Sequence, residues 1–200
     1  MTSYSPQTIA DIRKRTGLGI LEIKKALDAS NGDVEDAIKW LAQRSASGVR
    51  DRGSRDAREG VVHAYVHQGS KVGCIVEVNC ETDFVAKNEE FKSFVADICL
   101  QIVAGNPLCL KREDVSQVVK DRVYFDALEN ESIKNKPQHI KEKIANGKLE
   151  QFFKEGCLLE QPFVKDTSKT INELLVEIAA KFKENIVIRR FTRYQIGDTQ

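Results

Sequence analysis

The chain has 200 residues, of which 41% are hydrophobic, enough to bury the core of one or two ordinary domains. Its 31 basic and 30 acidic side chains nearly cancel, which argues against nucleic acid or an anionic membrane as a direct partner. No stretch approaches the run of about 20 apolar residues that a membrane-spanning helix needs, and the N terminus lacks the apolar segment of a secretory signal, so we expect a cytoplasmic protein.

The N-terminal segment predicts three short helices. Ser5-Pro6 is typical of a helix start, with the serine as cap and the proline in the first turn. A second helix is predicted to stop at Asn31-Gly32, and a third to begin after the capping residue Asp33. The expected product is a three-helix module over residues 1–45, which resembles ubiquitin-associated domains.

Three large apolar residues crowd the start of the second helix: Leu18, Ile20 and Leu21. All three look surplus to the core of the small module, so that a partner could bind them. The alternative is that Ile20 and Leu21 close that core.

Residues 46–60 mix Arg with Asp, Gly and Ser and lack apolar periodicity, which predicts a charged linker that can be partly helical. Residues 61–200 predict one α+β domain. Alternating β-branched residues around the turn Gln68-Gly69-Ser70 indicate a β-hairpin, and an apolar stripe from Phe91 to Ile102 indicates a helix packed on it. Because two strands are marginal in water, the alternating C-terminal segment ENIVIRRFTRYQI is predicted to add a third antiparallel strand.

Two charged stretches predict a protruding antiparallel helical hairpin at about residues 115–155, divided at Asn135-Lys136-Pro137. If about 20 residues of each stretch are helical, the hairpin is roughly 30 Å long. After it, the residues Asp166 to Thr170 are predicted to cap a last helix. That helix should turn four apolar residues inward: Leu174, Leu175, Ile178 and Phe182.

The sequence offers little for catalysis. Phosphate-binding loops, nucleophile elbows and H-E-x-x-H patterns are missing, and the five cysteines are widely spaced, so we expect reduced, mostly buried thiols. His63 and His67 would be spread apart on their predicted strand, which argues against a zinc site. We therefore expect a binding protein with no catalytic residue, no metal and no cofactor.

One connector breaks the local pattern, because NCETDFVAKN, residues 79–88, holds a large aromatic residue among polar ones. Phe84 either folds back onto the following helix, with Thr82 or Asp83 as the helix cap, or points outward as a binding anchor.

The segment NCETDFVAKNEEF resembles the signature of the elongation factor Ts family. IRKRTGLGILEIKKALDASNGDVEDAI is similar to that family's N-terminal module, and KPQHIKEKIANGKLEQFFKE and QPFVKDTSKTINELL are similar to its later segments. With gaps, the resemblance runs from about Ile9 to the C terminus. It implies a guanine-nucleotide exchange factor that binds elongation factor Tu, in its GDP-bound and nucleotide-free states, and promotes GDP release.

The resemblance also implies binding residues. Asp83 and Phe84, flanked by Thr82 and Val85, match the family motif that enters the GTPase near its magnesium and phosphate site. The expected effect is displacement of groups that hold the magnesium ion.

In the N-terminal module the residues that match the family's contact with the nucleotide domain are Arg13, Ile20 and Leu21. The family often has methionine where Gly19-Ile20-Leu21 stands, so the individual contacts can differ. The segment from about Val118 to Phe153 matches the family's coiled-coil arm.

Longer family members carry two related halves in the central domain, whereas this chain has one hairpin-helix unit. The resemblance therefore implies a homodimer with joined sheets. The motif residues of one subunit would then act beside His67, Val72 and Gly73 of the other.

Two other classes remain open from the residues alone. A ubiquitin-associated-like adaptor would use the N-terminal module but leave NCETDFVAKN without a role. A small enzyme would use Asp83 or a cysteine, and nothing in the sequence predicts its substrate.

Overall fold

The computed structural model describes residues 4–16, 18–52 and 55–198, with side chains described outside 45–52. These residues form an α+β structure of helices and a small antiparallel sheet. The α-helices are α1 Pro6–Thr16, α2 Ile20–Ala29, α3 Val34–Arg52, α4 Asp83–Lys87, α5 Glu89–Gly105, α6 Gln117–Leu128, α7 Gln138–Gly156 and α8 Ile171–Phe182. The strands are β1 Glu59–Val66, β2 Val72–Cys80, β3 Pro162–Phe163, β4 Asp166–Thr170 and β5 Val187–Gln195.

The described residues separate into two compact units. The first contains the N-terminal helices together with residues 79–88 and 175–187, and the second contains residues 61–78, 89–174 and 188 onward. No helix of the described part of the chain is both long and apolar enough to cross a membrane.

The three N-terminal helices are confirmed, and their caps follow from local sequence. Ser5 Oγ accepts the N–H of Thr8 at 3.1 Å, and Asp33 Oδ1 accepts the N–H of Asp36 at 2.8 Å. Gly32, at φ 88°, ends α2 by donating its N–H to Leu27 O at 2.8 Å. The helices enclose a shared apolar cluster whose buried members are Ile12, Ile23, Ala26, Leu27, Ala37 and Leu41.

The third helix extends beyond the module predicted for residues 1–45. Its backbone stays helical to Arg52, so the first part of the predicted linker is helical and strand β1 begins at Glu59. Arg, Ala and Ser are compatible with a helix that carries no apolar stripe, which is why periodicity did not indicate this extension. The domain boundaries stay a prediction.

The sheet has the order β1-β2-β5, so the predicted hairpin and the predicted third strand are both confirmed. The hairpin turn uses Gly69 and Ser70 at positive φ, 85° and 53°. Strand β5 runs antiparallel to β2, because Lys71 O accepts the N–H of Ile196 at one end and Glu77 pairs with Arg190 further along.

The two faces of the sheet differ in burial. On one face the thiol of Cys74 donates to the carbonyl oxygen of Cys99 in α5, at 3.4 Å, so α5 covers this face as predicted. On the opposite face, called here the outer sheet face, the large exposed apolar side chains are Val62, Val66, Ile75 and Tyr194. A sheet buried on only one side is the reason for the period-two pattern of the sequence.

Helices α6 and α7 pack against each other and form the predicted helical hairpin. Their lengths are unequal, since α6 has 12 residues and α7 has 19, or about 18 and 28 Å. The first helix is shorter than expected because it ends at Leu128, after which Asn130 caps a separate 3₁₀ turn at Glu131–Ile133. Only the second helix therefore approaches the predicted length.

Two expectations about the last helix are met only in part. Thr170 caps α8 as predicted, since its Oγ1 accepts the N–H of Glu173 at 3.2 Å, but Asp166–Thr170 also form strand β4 against β3. The four apolar residues predicted to face inward are only half-buried. The most buried positions of the helix are Ile171, which shares the side of those four residues, and Ala179 and Ala180, which lie away from it.

A buried pair of glutamines ties the segment after the hairpin to helix α5. Gln101 donates to Gln161 Oε1 at 2.9 Å and accepts the N–H of Val164 at 2.8 Å. Gln161 in turn donates to the carbonyl oxygens of Gly105 and Glu155, at 2.9 and 2.6 Å. These contacts satisfy polar groups that would otherwise be costly to bury.

Candidate functional site

The connector between β2 and α5 contains the short helix α4. Thr82 is its N-cap, with extended backbone angles of φ −125° and ψ 153°, and its side chain accepts the N–H of Val85. Val85 and Ala86 turn inward and are buried. Thr82, one of the two residues predicted as caps, therefore begins this helix.

Phe84 lies on the opposite side of α4 and is 82% exposed. The interpretation that it folds back as a hydrophobic staple is therefore wrong, because a packed aromatic ring would lose most of its accessible surface. The other interpretation, in which Phe84 points outward, agrees with this exposure. A largely exposed phenylalanine on a helix whose other face is buried is a suitable anchor for a protein partner.

Asp83 lies beside Phe84 and carries a negative charge. Its carboxylate accepts a hydrogen bond from Lys87 Nζ at 2.6 Å, one helical turn away. This hydrogen bond lowers the pKa of Asp83 from its ordinary value. Both side chains remain accessible, so a partner can compete with Lys87 for the carboxylate.

A distant glutamate holds the start of the connector. The Glu184 carboxylate accepts the N–H groups of Glu81 and Thr82, at 2.9 and 3.1 Å, and the Thr82 hydroxyl at 2.5 Å. In the opposite direction Glu81 accepts the N–H of Asn185 at 2.5 Å. We call Glu81, Thr82, Glu184 and Asn185 the connector clamp. These charge-assisted bonds fix the backbone immediately before Asp83 and Phe84.

The N-terminal candidates are also on the surface. Ile20 is 45% and Leu21 76% exposed, whereas Leu18 packs against the core of the three helices. The interpretation that Ile20 and Leu21 close the core is thus wrong, and so is the expectation that Leu18 is surplus to it. Arg13 is exposed near the C-terminal end of α1.

The first unit contains both sets of candidates. Glu22, one residue after Leu21, lies 3.9 Å from Lys183, which adjoins the clamp residue Glu184. The start of α2 and the connector therefore belong to one compact unit.

His67, Val72 and Gly73 come together at the hairpin turn of the second unit. The N–H of His67 donates to Val72 O at 2.9 Å, and His67 Nδ1 lies 3.0 Å from the Tyr65 hydroxyl. A Cβ atom at Gly73 would lie 2.9 Å from Tyr65 O, so glycine permits this close strand contact. The turn brings these three residues together without making them a catalytic group.

The described residues hold no cluster of three or more His, Cys, Asp or Glu side chains that could bind a metal ion. The thiols are free, and four of the five are buried, as expected, with Cys109 half-buried.

The sequence pointed to the connector but not to its clamp. Glu184 and Thr82 are 102 residues apart, and a lone glutamate after a helix carries no local signal. Only the fold of the first unit brings the two residues together.

The exposed apolar side chains at α2 and α4 lie beside buried neighbours, an arrangement suited to contact with another protein. Comparison with known proteins identifies the family. The family model described as "Elongation factor TS" matches residues 22–198. The chain belongs to the elongation factor Ts family.

Similar proteins cover nearly all of the chain. Elongation factor Ts of a Thermoanaerobacter species is 46% identical over 195 residues, covering 97% of this chain and 95% of that protein. The protein of the same name from Thermodesulfovibrio yellowstonii is 46% identical over 201 residues, covering 99% and 98%. That from Carboxydothermus hydrogenoformans is 47% identical over 192 residues, covering 96% and 88%. By family, the chain is a translation elongation factor with a nucleotide-exchange role.

Proposed function

We propose that this protein binds elongation factor Tu and promotes the release of its GDP, so that GTP can rebind. Family membership supports the partner. The observation that carries the proposal is Phe84, 82% exposed on a connector that the Glu184 carboxylate holds in place. The protein acts by binding, in the cytoplasm, and breaks no bond of a substrate.

The mechanism follows from linkage. A protein that binds the nucleotide-free GTPase more tightly than the GDP-bound form must weaken GDP binding by the same factor. Each tenfold loss of nucleotide affinity corresponds to about 1.4 kcal/mol. Differential burial of one large aromatic side chain can supply one or two such factors.

The two motif residues have separate roles in this proposal. Phe84 inserts between packed elements of the GTPase, while the carboxylate of Asp83 disturbs the groups that hold the magnesium ion and so weakens phosphate binding. The low pKa of Asp83 keeps its carboxylate charged at neutral pH, as this role requires. Thr82 and Val85 position the pair, as cap and as buried anchor of α4.

The direct test is stopped-flow release of fluorescent GDP from purified elongation factor Tu, with and without this protein. Strong acceleration is the expected result. Folded protein that leaves the release rate unchanged would overturn the proposal. A pull-down would then name the partner of an adaptor, and turnover of a substrate without any GTPase would identify an enzyme.

The N-terminal helices form a ubiquitin-associated-like module in this proposal, and Arg13, Ile20 and Leu21 contact the nucleotide domain of the GTPase. Leu21→Asp is expected to weaken the complex by about tenfold or more, because an interface would have to bury the new charge. Folding should be unaffected, since Leu21 is 76% exposed.

Calorimetric titration of the nucleotide-free GTPase measures this effect. Leu108→Asp is the matched control, since Leu108 is also exposed but lies outside the proposed contact. Equal weakening by both variants would contradict the module's role.

We also propose that the protein is a homodimer joined through the outer sheet face. Three apolar side chains, Val62, Val66 and Ile75, are exposed on one face of a three-stranded sheet, and a second copy would bury them. In the dimer, His67, Val72 and Gly73 of one subunit lie beside the connector of the other.

In this proposal the helical hairpin of α6 and α7 is the coiled-coil arm of the family.

Ile75→Asp is expected to convert the dimer to monomers, because the charge would be buried without a partner in the joined sheets. Sedimentation equilibrium gives the mass directly. Val118→Asp is the matched control, because Val118 is also an exposed apolar residue but lies on α6, and it should leave the mass unchanged. A monomeric wild-type protein would exclude this dimer.

A further inference from the structure

The two ends of the helical hairpin are joined by a short parallel bridge. Cys109, before α6, pairs with Cys157, directly after α7. Leu108 donates its N–H to Gly156 O at 2.8 Å, and Leu158 donates to Cys109 O at 2.9 Å. The backbone on both sides of the two cysteines is therefore already fixed before any bond forms between them.

The two thiols lie side by side in this bridge. Their sulfur atoms are 3.7 Å apart. Neighbouring strands are about 4.8 Å apart, which falls within the Cα separation of about 4.4 to 6.8 Å found in disulfides. Small rotations of the two side chains would bring the sulfurs to the bonding distance of about 2.05 Å.

We propose that Cys109 and Cys157 are a disulfide-forming site that responds to peroxide and covalently closes the base of the helical hairpin. The sulfur of Cys109 attacks one peroxide oxygen, the O–O bond breaks, and a sulfenic acid and water form. The sulfur of Cys157 then attacks Cys109, the S–O bond breaks, and a second water carries away the thiol proton. In sum, two thiols and one hydrogen peroxide give one disulfide and two waters.

Access determines this order of attack. Cys109 is half-buried, and its thiol lies 3.4 Å from the carbonyl oxygen of Lys111 at the surface, whereas Cys157 is fully buried. Burial raises the pKa of both thiols, to about 12 for Cys157. Because the thiolate is the reacting form, the disulfide should form faster as the pH rises.

The other cysteines are poorly placed for this reaction. Cys74 and Cys99 interact with each other but are buried beneath the sheet, and Cys74 donates to the carbonyl oxygen of Cys99. Cys80 is also buried, and its thiol donates to the carbonyl oxygen of Thr82 rather than lying beside another thiol. Oxidant therefore reaches the pair at the hairpin base first.

The test treats the reduced full-length protein with hydrogen peroxide and counts free thiols after denaturation. The count should fall from five to three and return to five with dithiothreitol. Peptide mapping without reductant should find one crosslinked peptide, joining Cys109 to Cys157. An unchanged count, or a crosslink between any other cysteines, overturns the proposal.

Two variants sharpen the result. Cys109→Ser should keep all four of its remaining thiols under the same treatment, whereas Cys80→Ser should lose two of four. The oxidised wild type should also unfold at a higher temperature than the reduced protein, because the bond closes a long loop. If Cys109→Ser still loses two thiols, the assignment of the pair is wrong.

Discussion

Phe84→Ala is expected to slow stimulated GDP release from elongation factor Tu by about tenfold to a hundredfold, the equivalent of the roughly 1.5 to 3 kcal/mol that burial of a phenylalanine supplies. The free energy of unfolding of the protein itself should hardly change. Phe84 is 82% exposed, so its removal leaves no cavity.

Stopped-flow kinetics over a range of factor concentrations measure this effect, and urea unfolding checks stability. Phe125→Ala is the matched control, because Phe125 is also an exposed aromatic residue but lies on α6. A normal exchange rate for Phe84→Ala would eliminate the wedge mechanism. Loss of activity in both variants would point to a general effect of removing surface aromatics.

Local chemistry explains which parts of the fold could be predicted. Ser5, Asp33 and Thr82 each cap a helix through a backbone N–H only three residues away, so sequence alone indicates the first two and limits the third to Thr82 or Asp83. The hairpin turn at Gly69 is equally local. Such features do not depend on the rest of the fold.

Long-range packing explains what could not be predicted. The short strand β3 has no alternation to detect, and its partner β4 is polar, so only their pairing defines them. The buried residues of α8 include Ala179 and Ala180, which the pattern of large apolar side chains does not indicate. The outward position of Phe84 was one of two open alternatives, because exposure depends on which face of α4 the fold buries.

The connector clamp suggests how a motif on a surface segment keeps a defined geometry. Helix α4 has only five residues and cannot be stable alone. Glu184 supplies acceptors for two backbone N–H groups and one hydroxyl immediately before it, which limits the positions that Phe84 can take. Such pre-organisation lowers the entropy that is lost when the anchor binds.

Glu184→Ala is therefore expected to reduce the maximum rate of stimulated GDP release by about tenfold, because tenfold corresponds to about 1.4 kcal/mol, roughly the contribution of one hydrogen bond to a charged group. Urea unfolding would show how much of this loss comes from stability. A structural defect alone would lower the active fraction, and raising the protein concentration would restore the rate. A positioning defect persists at saturating concentration.

The double variant decides between a positioning role and an independent one. If Glu184 acts by holding Phe84, then Glu184→Ala should add little to the defect of Phe84→Ala, and the two effects should be strongly non-additive. Equal slowing by Glu184→Ala in the presence and absence of the Phe84 ring would mean that the clamp acts elsewhere. The same stopped-flow assay on four proteins, wild type, two single variants and the double variant, gives the coupling directly. A large coupling energy would mean that the rate of stimulated GDP release depends on the rigid backbone before Asp83 as well as on the aromatic ring of Phe84.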